Sequence, residues 1–233
     1  MQATEIRRMT EIEDRHWWFQ QKRQLLAREL RRIGTPGRAL DIGAAGGGNS
    51  RVLLEHGWKT VIGDLSETAV GIAVERGLDA HVADARDLPW EDGSFDLVTA
   101  FEILEHIEED DVASAQIFRV LRPGGNALIT VPQDMRLWSA HDEKCDHVRR
   151  YDRDGLTKVL EGAGLVIDKM WSWNVLLRPV VAMHRKKSTE SDIEEPPPAL
   201  INAALNGIVA AERFLPVKSM NGVSLIVRAH RPA

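Results

Sequence analysis

The spacing of apolar positions changes several times along the chain, and each change marks an element. From 11 to 32 there are few helix breakers, and apolar residues at Trp18, Leu25, Leu26 and Leu30 predict an N-terminal helical region. The Gly34-Thr35-Pro36-Gly37 turn signal ends it. Short apolar runs and amphipathic stretches then alternate. Strands are expected over 38–42, 58–63, 80–83, 95–100 and 126–131, with helices over 47–55, 67–76 and 111–121. Alternation at this pitch predicts a parallel sheet with helices on both faces. Further on, Asp152 can cap a helix whose Leu156, Val159, Leu160 and Ala163 follow i, i+3, i+4, i+7, with Gly164 as its stop. A strand over 165–173, a helix over 199–214 and a last strand over 223–229 complete the pattern. Between them, Arg185-Lys186-Lys187, acidic Asp192, Glu194 and Glu195, and three prolines predict a mobile loop over 184–198. There is no internal repeat and no second independent domain. The expected organisation is a helical cap (1–34), an α/β core (35–173), an insertion serving as lid or specificity segment (174–220), and a final strand and tail (221–233).

Composition narrows the class. The 233 residues are 43% hydrophobic and 28% charged with net charge −5, an ordinary globular balance. No run of 18 apolar residues occurs, and the polar start Met1-Gln2-Ala3-Thr4-Glu5-Ile6-Arg7-Arg8 lacks a secretion-signal core, so a cytoplasmic protein without a transmembrane segment is expected. A single cysteine, Cys145, excludes an intramolecular disulfide framework and a multi-cysteine metal site. The acidic total argues against nucleic acid as the main partner, which needs clustered cations to displace phosphate counterions. The first 32 residues do carry eight Lys/Arg against five Asp/Glu, an excess that a solvated helix face explains.

The strongest chemical signal is Ala39-Leu40-Asp41-Ile42-Gly43-Ala44-Ala45-Gly46-Gly47-Gly48-Asn49. A strand runs into a glycine-rich turn and then a helix, an arrangement that lets a ligand approach backbone N–H groups. Small residues are expected there because a Cβ would occupy ligand space. Asp64, 23 residues after Asp41 and at the end of the second strand, can accept from both hydroxyls of a ribose. A pyrophosphate fingerprint starting at Gly43 would require glycine at Ala45. Asp41 at the mouth of the turn would repel a pyrophosphate but accept from the ammonium of an amino-acid moiety. S-adenosylmethionine therefore fits better than a dinucleotide.

From about 17 onward the chain resembles the class I S-adenosylmethionine-dependent methyltransferases. Leu40-Asp41-Ile42-Gly43-Ala44-Ala45-Gly46-Gly47 matches that family's first motif and Ile62-Gly63-Asp64-Leu65-Ser66 its second. Val82-Ala83-Asp84-Ala85 with Leu88-Pro89-Trp90, then Ser94-Phe95-Asp96-Leu97-Val98, and Leu121-Arg122-Pro123-Gly124-Gly125 follow in the same order. Ala45 departs from the usual middle glycine. The resemblance implies a Rossmann-like seven-stranded sheet with an N-terminal helical cap and an insertion between the last two strands. It assigns Asp41, Gly43, Ala45 and Gly47 to the methionine end of the cofactor, and Asp64 with Leu65 to its ribose and adenine. Asp84 and the Ala85 N–H would meet the adenine, and Phe101 with Glu102 would lie beneath the sulfonium. For Asp84 the plain alternative is a turn carboxylate.

Three further clusters are open to more than one reading. His16-Trp17-Trp18-Phe19 followed by Arg23 is by itself a packing patch. The family's habit of laying its N-terminal helix over the cofactor implies that Trp18 packs on it and Arg23 pairs with its carboxylate. Glu102, Glu105 and His106 fall on one face of a helical turn and suit Mg²⁺ or Mn²⁺. Their spacing resembles the E-x-x-E-H of ubiquinone-pathway O-methyltransferases and small-RNA 2′-O-methyltransferases, and His141 or His147 could complete a site. The alternative is packing and capping. In the stretch from Trp138 to Tyr151, His141 and His147 are candidate bases for an acceptor O–H or N–H, with Tyr151 as orienter, although either histidine can equally be structural.

The implied reaction is in-line attack of an acceptor on the sulfonium methyl, releasing S-adenosylhomocysteine. A small-molecule acceptor, hydrophobic and of secondary-metabolite or lipid-quinone type, heads the readings. A nucleic-acid 2′-O-methyltransferase and a non-catalytic cofactor-binding module follow, with an NAD-dependent oxidoreductase last because Ala45 breaks its fingerprint. Ile201, Leu205, Ile208, Val209 and Phe214 give the insertion an apolar face that could roof an acceptor, touch a membrane, form a homodimer interface or simply pack on the sheet edge.

Overall fold

The computed structural model describes residues 3–186 and 195–233. Its N-terminus is two helices rather than one: α1 (Ala3–Ile12) and α2 (Trp17–Ile33). The break follows from His16, whose extended backbone starts α2 and whose Nδ1 accepts from Trp18 N at 3.2 Å. α2 buries Leu25, Leu26 and Leu30 completely or nearly so, each worth roughly 1.5–3 kcal/mol. α1 lies across the molecule and packs Ile6 with Ala69 and Ile72.

The seven expected strands are β1 (Arg38–Ile42), β2 (Lys59–Asp64), β3 (Ala80–Val82), β4 (Phe95–Phe101), β5 (Leu121–Pro132), β6 (Val166–Trp173) and β7 (Ser224–His230). They form one sheet in the order β3-β2-β1-β4-β5-β7-β6. The parallel reading holds for β1 to β5, while β7 runs antiparallel between β5 and β6. A parallel neighbour needs a crossover, and the 174–220 insertion instead returns the chain beside β6 in the opposite sense. Helices α3 (Gly48–Glu55), α4 (Glu67–Glu75) and α5 (Asp110–Val120) make the crossovers, and α7 (Arg153–Gly162) leads into β6. Ser66 and Asp152 cap α4 and α7 through their side chains. One core cluster gathers Val98, Ile117, Leu156 and Leu225; the other gathers Leu25, Leu97, Leu128 and Ile226 under α2.

Two short helices escaped the sequence pattern. α6 (Ala140–Lys144) begins with a Ser139/Asp142 capping box, and α8 (Arg178–Arg185) occupies the start of the expected loop. Arg185 is buried in the last turn of α8 and donates to Leu137 O at 3.1 Å, so the loop does not begin at 184; residues 187–194 lie outside the described residues. α9 (Ala199–Ala211) packs on α2, where Asn202 Oδ1 accepts from Trp17 N at 2.9 Å. No helix among the described residues is long and apolar enough to cross a membrane.

Candidate active site

The C-terminal ends of β1, β2 and β4 open onto a cavity of about 770 Å³. α1 and α2 form one wall, through Thr10, Glu13, Trp18, Lys22 and Arg23. The turns after the strands and the segment holding His141 and His147 form the others, and no described residue of 174–220 lines it. Among the described residues the helical cover is α1 with α2.

In the β1–α3 turn, Ala45 takes the left-handed conformation at φ 47°, and its N–H donates to Asp64 Oδ2 at 3.0 Å. Ser66 N donates to Asp64 Oδ1 at 2.9 Å. Each oxygen of Asp64 thus keeps a lone pair toward the cavity, the requirement for taking two ribose hydroxyls. Burial pushes this carboxyl above its ordinary value, against the two N–H bonds that hold it down. Leu65, two-thirds exposed, and Ala85 and Asp84 line the same side. Asp84 is held in a fork by Arg86, at 2.7 Å from its Nη2, which keeps its carboxyl below the ordinary range.

The small residues of the turn serve a different purpose from the one expected. A Cβ on Gly43 would collide with Ile103, and one on Gly48 with the Glu13 carboxylate, while at Gly46 it would lie 2.6 Å from Thr10 Cγ2. The turn is bare because α1 and Ile103 rest against it. Glu13 pairs with Arg76 at 2.5 Å and with Arg23 at 3.7 Å, and Arg23 also donates to Glu13 O at 2.7 Å. Arg23 therefore reaches the cavity already engaged.

Asp41 is corrected more sharply. Its carboxylate accepts from Ser50 Oγ and Thr99 Oγ1, each at 2.6 Å, and it is 1% exposed and absent from the cavity wall. Burial raises its pKa to about 6 despite these two bonds. Gly47 is likewise off the wall, turned toward Leu78 and Ile62. Tyr151 is a third residue the structure removes: its buried hydroxyl donates to Asp110 Oδ2 at 2.6 Å, behind the cavity rather than in it.

Phe101 and Glu102 do line the cavity at the end of β4. Glu102 sits at φ 57°, and its carboxylate is bound by Lys22 Nζ and by Thr130 Oγ1 at 2.8 Å. Burial opposes its charge, but Lys22 and these bonds keep the carboxyl below its ordinary value. The Lys22 ammonium stands 5.2 Å from the ring centre of Trp18 and 5.1 Å from that of Trp173. This engagement separates Glu102 from the expected metal set. Glu105, His106 and His147 instead bring one donor atom each within 4.8 Å of one another. Glu105 is fully buried, neither of its oxygens has a hydrogen-bond partner among the described residues, and burial together with Glu102 pushes its carboxyl well above the ordinary value. Burial and the neighbouring His147 lower His106 to about 4, leaving it neutral at physiological pH.

Of the two candidate bases, His147 is held by a carboxylate: Asp142 Oδ1 lies 2.9 Å from its Nδ1. Burial works against the charge of Asp142, but the His147 hydrogen bond with Arg150 and Arg185 holds it well below the usual carboxylate range. Being ionised, Asp142 fixes the proton on Nδ1 and leaves Nε2 as the nitrogen for the cavity. His141 shares the wall and lies 3.8 Å from Cys145 Sγ through its Nδ1. Asp142 was not singled out in the sequence because its role depends on the turn of α6; the Ser139-x-x-Asp142 capping pattern was the available signal.

A family model described as a methyltransferase domain matches residues 15–169. The chain belongs to the methyltransferase-domain family. Its relatives and fold place it with the class I S-adenosylmethionine-dependent methyltransferases. A probable S-adenosylmethionine-dependent methyltransferase of Mycolicibacterium smegmatis is 30% identical over 121 residues, covering 46% of this chain and 47% of the relative. The ubiquinone/menaquinone biosynthesis C-methyltransferase of Saccharophagus degradans is 32% identical over 130 residues, covering 49% and 51%. The chain thus spans about half the length of these curated relatives. Among solved structures, the 4+2 cyclase SpnF superposes with a TM-score of 0.64 at 24% identity over 94% of this chain and 84% of its own. The Haemonchus contortus phosphoethanolamine N-methyltransferase 2, solved with S-adenosyl-L-methionine, gives 0.61 at 21% over 90% and 53%. These likenesses establish the methyltransferase fold. The domain match leaves out α1, which covers the cavity, and the 174–220 insertion.

Proposed function

We propose that this methyltransferase-family protein moves a methyl group from S-adenosylmethionine to a hydroxyl of a small, hydrophobic acceptor of lipid-quinone or secondary-metabolite type. The observation that carries the reading is the meeting, in one 770 Å³ cavity, of Asp64 with two open lone pairs and His147 oriented by Asp142. The residues present fit the cofactor: Asp64 for ribose, Leu65, Asp84 and Ala85 around adenine, Trp18 and Phe101 as aromatic walls, and Arg23 with the Gly43–Ala45 turn toward an amino-acid end. When bound, S-adenosylmethionine supplies an electrophilic methyl on a sulfonium. His147 Nε2 takes the acceptor proton, and α1 with α2 excludes water, which favours loss of charge in the transition state. Names among the relatives cover transfer to carbon, nitrogen and oxygen; the carboxylate-oriented imidazole favours oxygen, since an amine needs no base once deprotonated. Isothermal titration of S-adenosylhomocysteine into wild type and Asp64→Ala tests the cofactor site, followed by methyl transfer from labelled cofactor to a panel of phenols, catechols and amines. Binding near micromolar that Asp64→Ala weakens at least 30-fold, with turnover on phenols or catechols, is the expected result. Absence of binding overturns the reading, and binding without turnover makes the chain a cofactor-binding module.

A second reading, which replaces His147 as the base, is a divalent cation held by Glu105, His106 and His147. It is supported by the buried Glu105 carboxylate without partners and by the 4.8 Å convergence of the three donors. One carboxylate and two imidazoles suit Mn²⁺ better than Mg²⁺, and the ion would hold an acceptor hydroxyl. Mn²⁺ binding followed by titration in wild type and Glu105→Gln, with turnover measured after chelation, tests it. Retained turnover after complete chelation overturns the metal and leaves His147 as the base.

A further inference from the structure

A second cavity, of about 250 Å³, lies at the β6 edge of the sheet, between the last turns of α2, strand β6 and the 3-10 turn Glu212–Phe214. Its lining carries five cations, Arg28, Arg32, Lys169, Arg213 and Lys218, and two carboxylates, Glu29 and Glu212. Both carboxylates are spent. Glu29 is 1% exposed and pairs with Arg32 and with Arg228 at 3.2 Å. Glu212 is buried, accepts from Leu176 N at 2.7 Å, and is held above its ordinary pKa by burial. Arg28, Lys169, Arg213 and Lys218 form no ion pair among the described residues. On a chain whose net charge is −5, this is a concentrated local excess of positive charge.

The aromatic groups give the site shape. Trp171 and Trp173 line it as nearly buried walls, with Lys169 Nζ 5.5 Å from the Trp171 ring centre. At the mouth, the Arg213 guanidinium stacks 4.5 Å from the ring centre of Phe214, which is 76% exposed. The floor is fixed: Ser172 N donates to Lys218 O at 3.0 Å, and Arg153 Nη2 donates to the same oxygen at 2.8 Å. Arg28 is lowered by burial and by Arg213 and Arg32, and Lys218 by burial and by Lys169, Arg32 and Arg28, with Glu29 offsetting part of the shift in both. The cations are close enough to repel one another, and Glu29, already paired with Arg32 and Arg228, offsets this only in part. A compact anion with several acceptor oxygens would do so, through charge-assisted bonds from two guanidinium forks and two ammonium groups.

We infer that the pocket formed by Arg28, Lys169, Arg213 and Lys218 is a binding site for a phosphoryl group, separate from the methyl-transfer cavity. Trp173 lines this pocket alone but touches the other through Trp18, whose ring centre is 4.7 Å from its own. Arg28 and Lys169 lie within the family match and Arg213 and Lys218 beyond it, so the site is built jointly by the common domain and the insertion.

The test is isothermal titration of pyrophosphate at low ionic strength into wild type, Lys218→Ala and the double variant Arg28→Ala/Lys218→Ala. Pelleting with phosphatidylcholine vesicles, with and without phosphatidic acid, is measured in parallel, and S-adenosylhomocysteine binding reports that each variant is folded. Wild type is expected to bind pyrophosphate or the phosphatidic-acid vesicles, with affinity falling about tenfold in Lys218→Ala and further in the double variant. Pyrophosphate binding alone identifies a soluble phosphoryl ligand, and vesicle pelleting identifies a lipid headgroup. No binding of either probe, or binding that the double variant leaves unchanged, overturns the site.

Discussion

The Asp142 carboxylate accepts from His147 Nδ1 at 2.9 Å, Arg150 Nε at 2.7 Å and Ser139 N at 3.0 Å and, more loosely, pairs with Arg185 Nη1 at 3.6 Å. Against burial, the His147 hydrogen bond together with Arg150 and Arg185 holds the Asp142 carboxyl well below the usual carboxylate range, so His147 is bonded to an anion near neutral pH. This fixes the tautomer and orientation of His147, the pairing a general base needs. His147→Ala is expected to lower kcat by about 10²–10⁴-fold. S-adenosylhomocysteine affinity should stay within a few-fold of wild type, as expected for a group proposed to act on the acceptor and not on the cofactor. Single-turnover rates with a hydroxyl acceptor across pH 6–9 check it. An unchanged rate removes His147 from the chemistry.

Tyr151 provides the contrasting case. Its hydroxyl is buried against Asp110 and Leu104 O, and burial followed by the Asp110 bond raises its pKa far above that of a free phenol. It cannot exchange a proton with an acceptor, but its removal leaves Asp110 short of a donor. Tyr151→Phe is expected to destabilise the fold by about 1–3 kcal/mol with kcat unchanged within twofold. Urea denaturation and steady-state turnover together separate the two effects, and a large loss of kcat in a stable variant would restore Tyr151 to the site.

The sheet was legible because its strands announce themselves locally: apolar runs such as Leu97–Val98 and Leu128–Ile129 end in turn residues and alternate with caps like Ser66 and Asp152. The direction of β7 was not, since nothing in its own residues tells a strand which neighbour it will pair with. The site divides the same way. Asp64 could be placed at the cavity because a residue ending a parallel strand faces the ligand edge of the sheet. Asp41 was not, because Ser50 and Thr99, which turn its carboxylate inward, lie on two other elements. Glu102 looked like a metal ligand from spacing alone, yet Lys22, 80 residues away in sequence, claims its carboxylate. Long-range partners of this kind leave no mark on a local pattern.

The inward turn of Asp41 has a pH signature. Its carboxyl pKa is raised to about 6 in the folded chain against 3.8 for the free group, so the folded state holds more protons between these values. Its contribution to stability is complete below about pH 4 and is lost as pH rises through 6, by roughly 3 kcal/mol. Asp41→Asn keeps the shape and removes the titration. Relative to wild type, the variant should gain stability as pH climbs from 4 to 6.5 and show no further gain above that. Thermal melts of both proteins across this range test the sign, and a constant difference would show that Asp41 is charged throughout.

Ala45 is the departure from the glycine pattern that drew notice in the sequence, and the structure shows what it entails. It sits at φ 47°, a conformation that burdens an L-residue by about 1–2 kcal/mol relative to glycine. The strain is held by the N–H bond from Ala45 to Asp64, which sets the spacing between the turn and the Asp64 carboxylate. Glycine would relieve the strain and lose roughly 0.5–1 kcal/mol through its freer unfolded chain. Ala45→Gly is therefore expected to stabilise the fold by about 0.5–1 kcal/mol. If the alanine serves to keep the turn rigid against Asp64, the same variant should bind S-adenosylhomocysteine a few-fold more weakly although it melts at a higher temperature. A rise in both stability and affinity would show that the alanine contributes nothing to positioning Asp64.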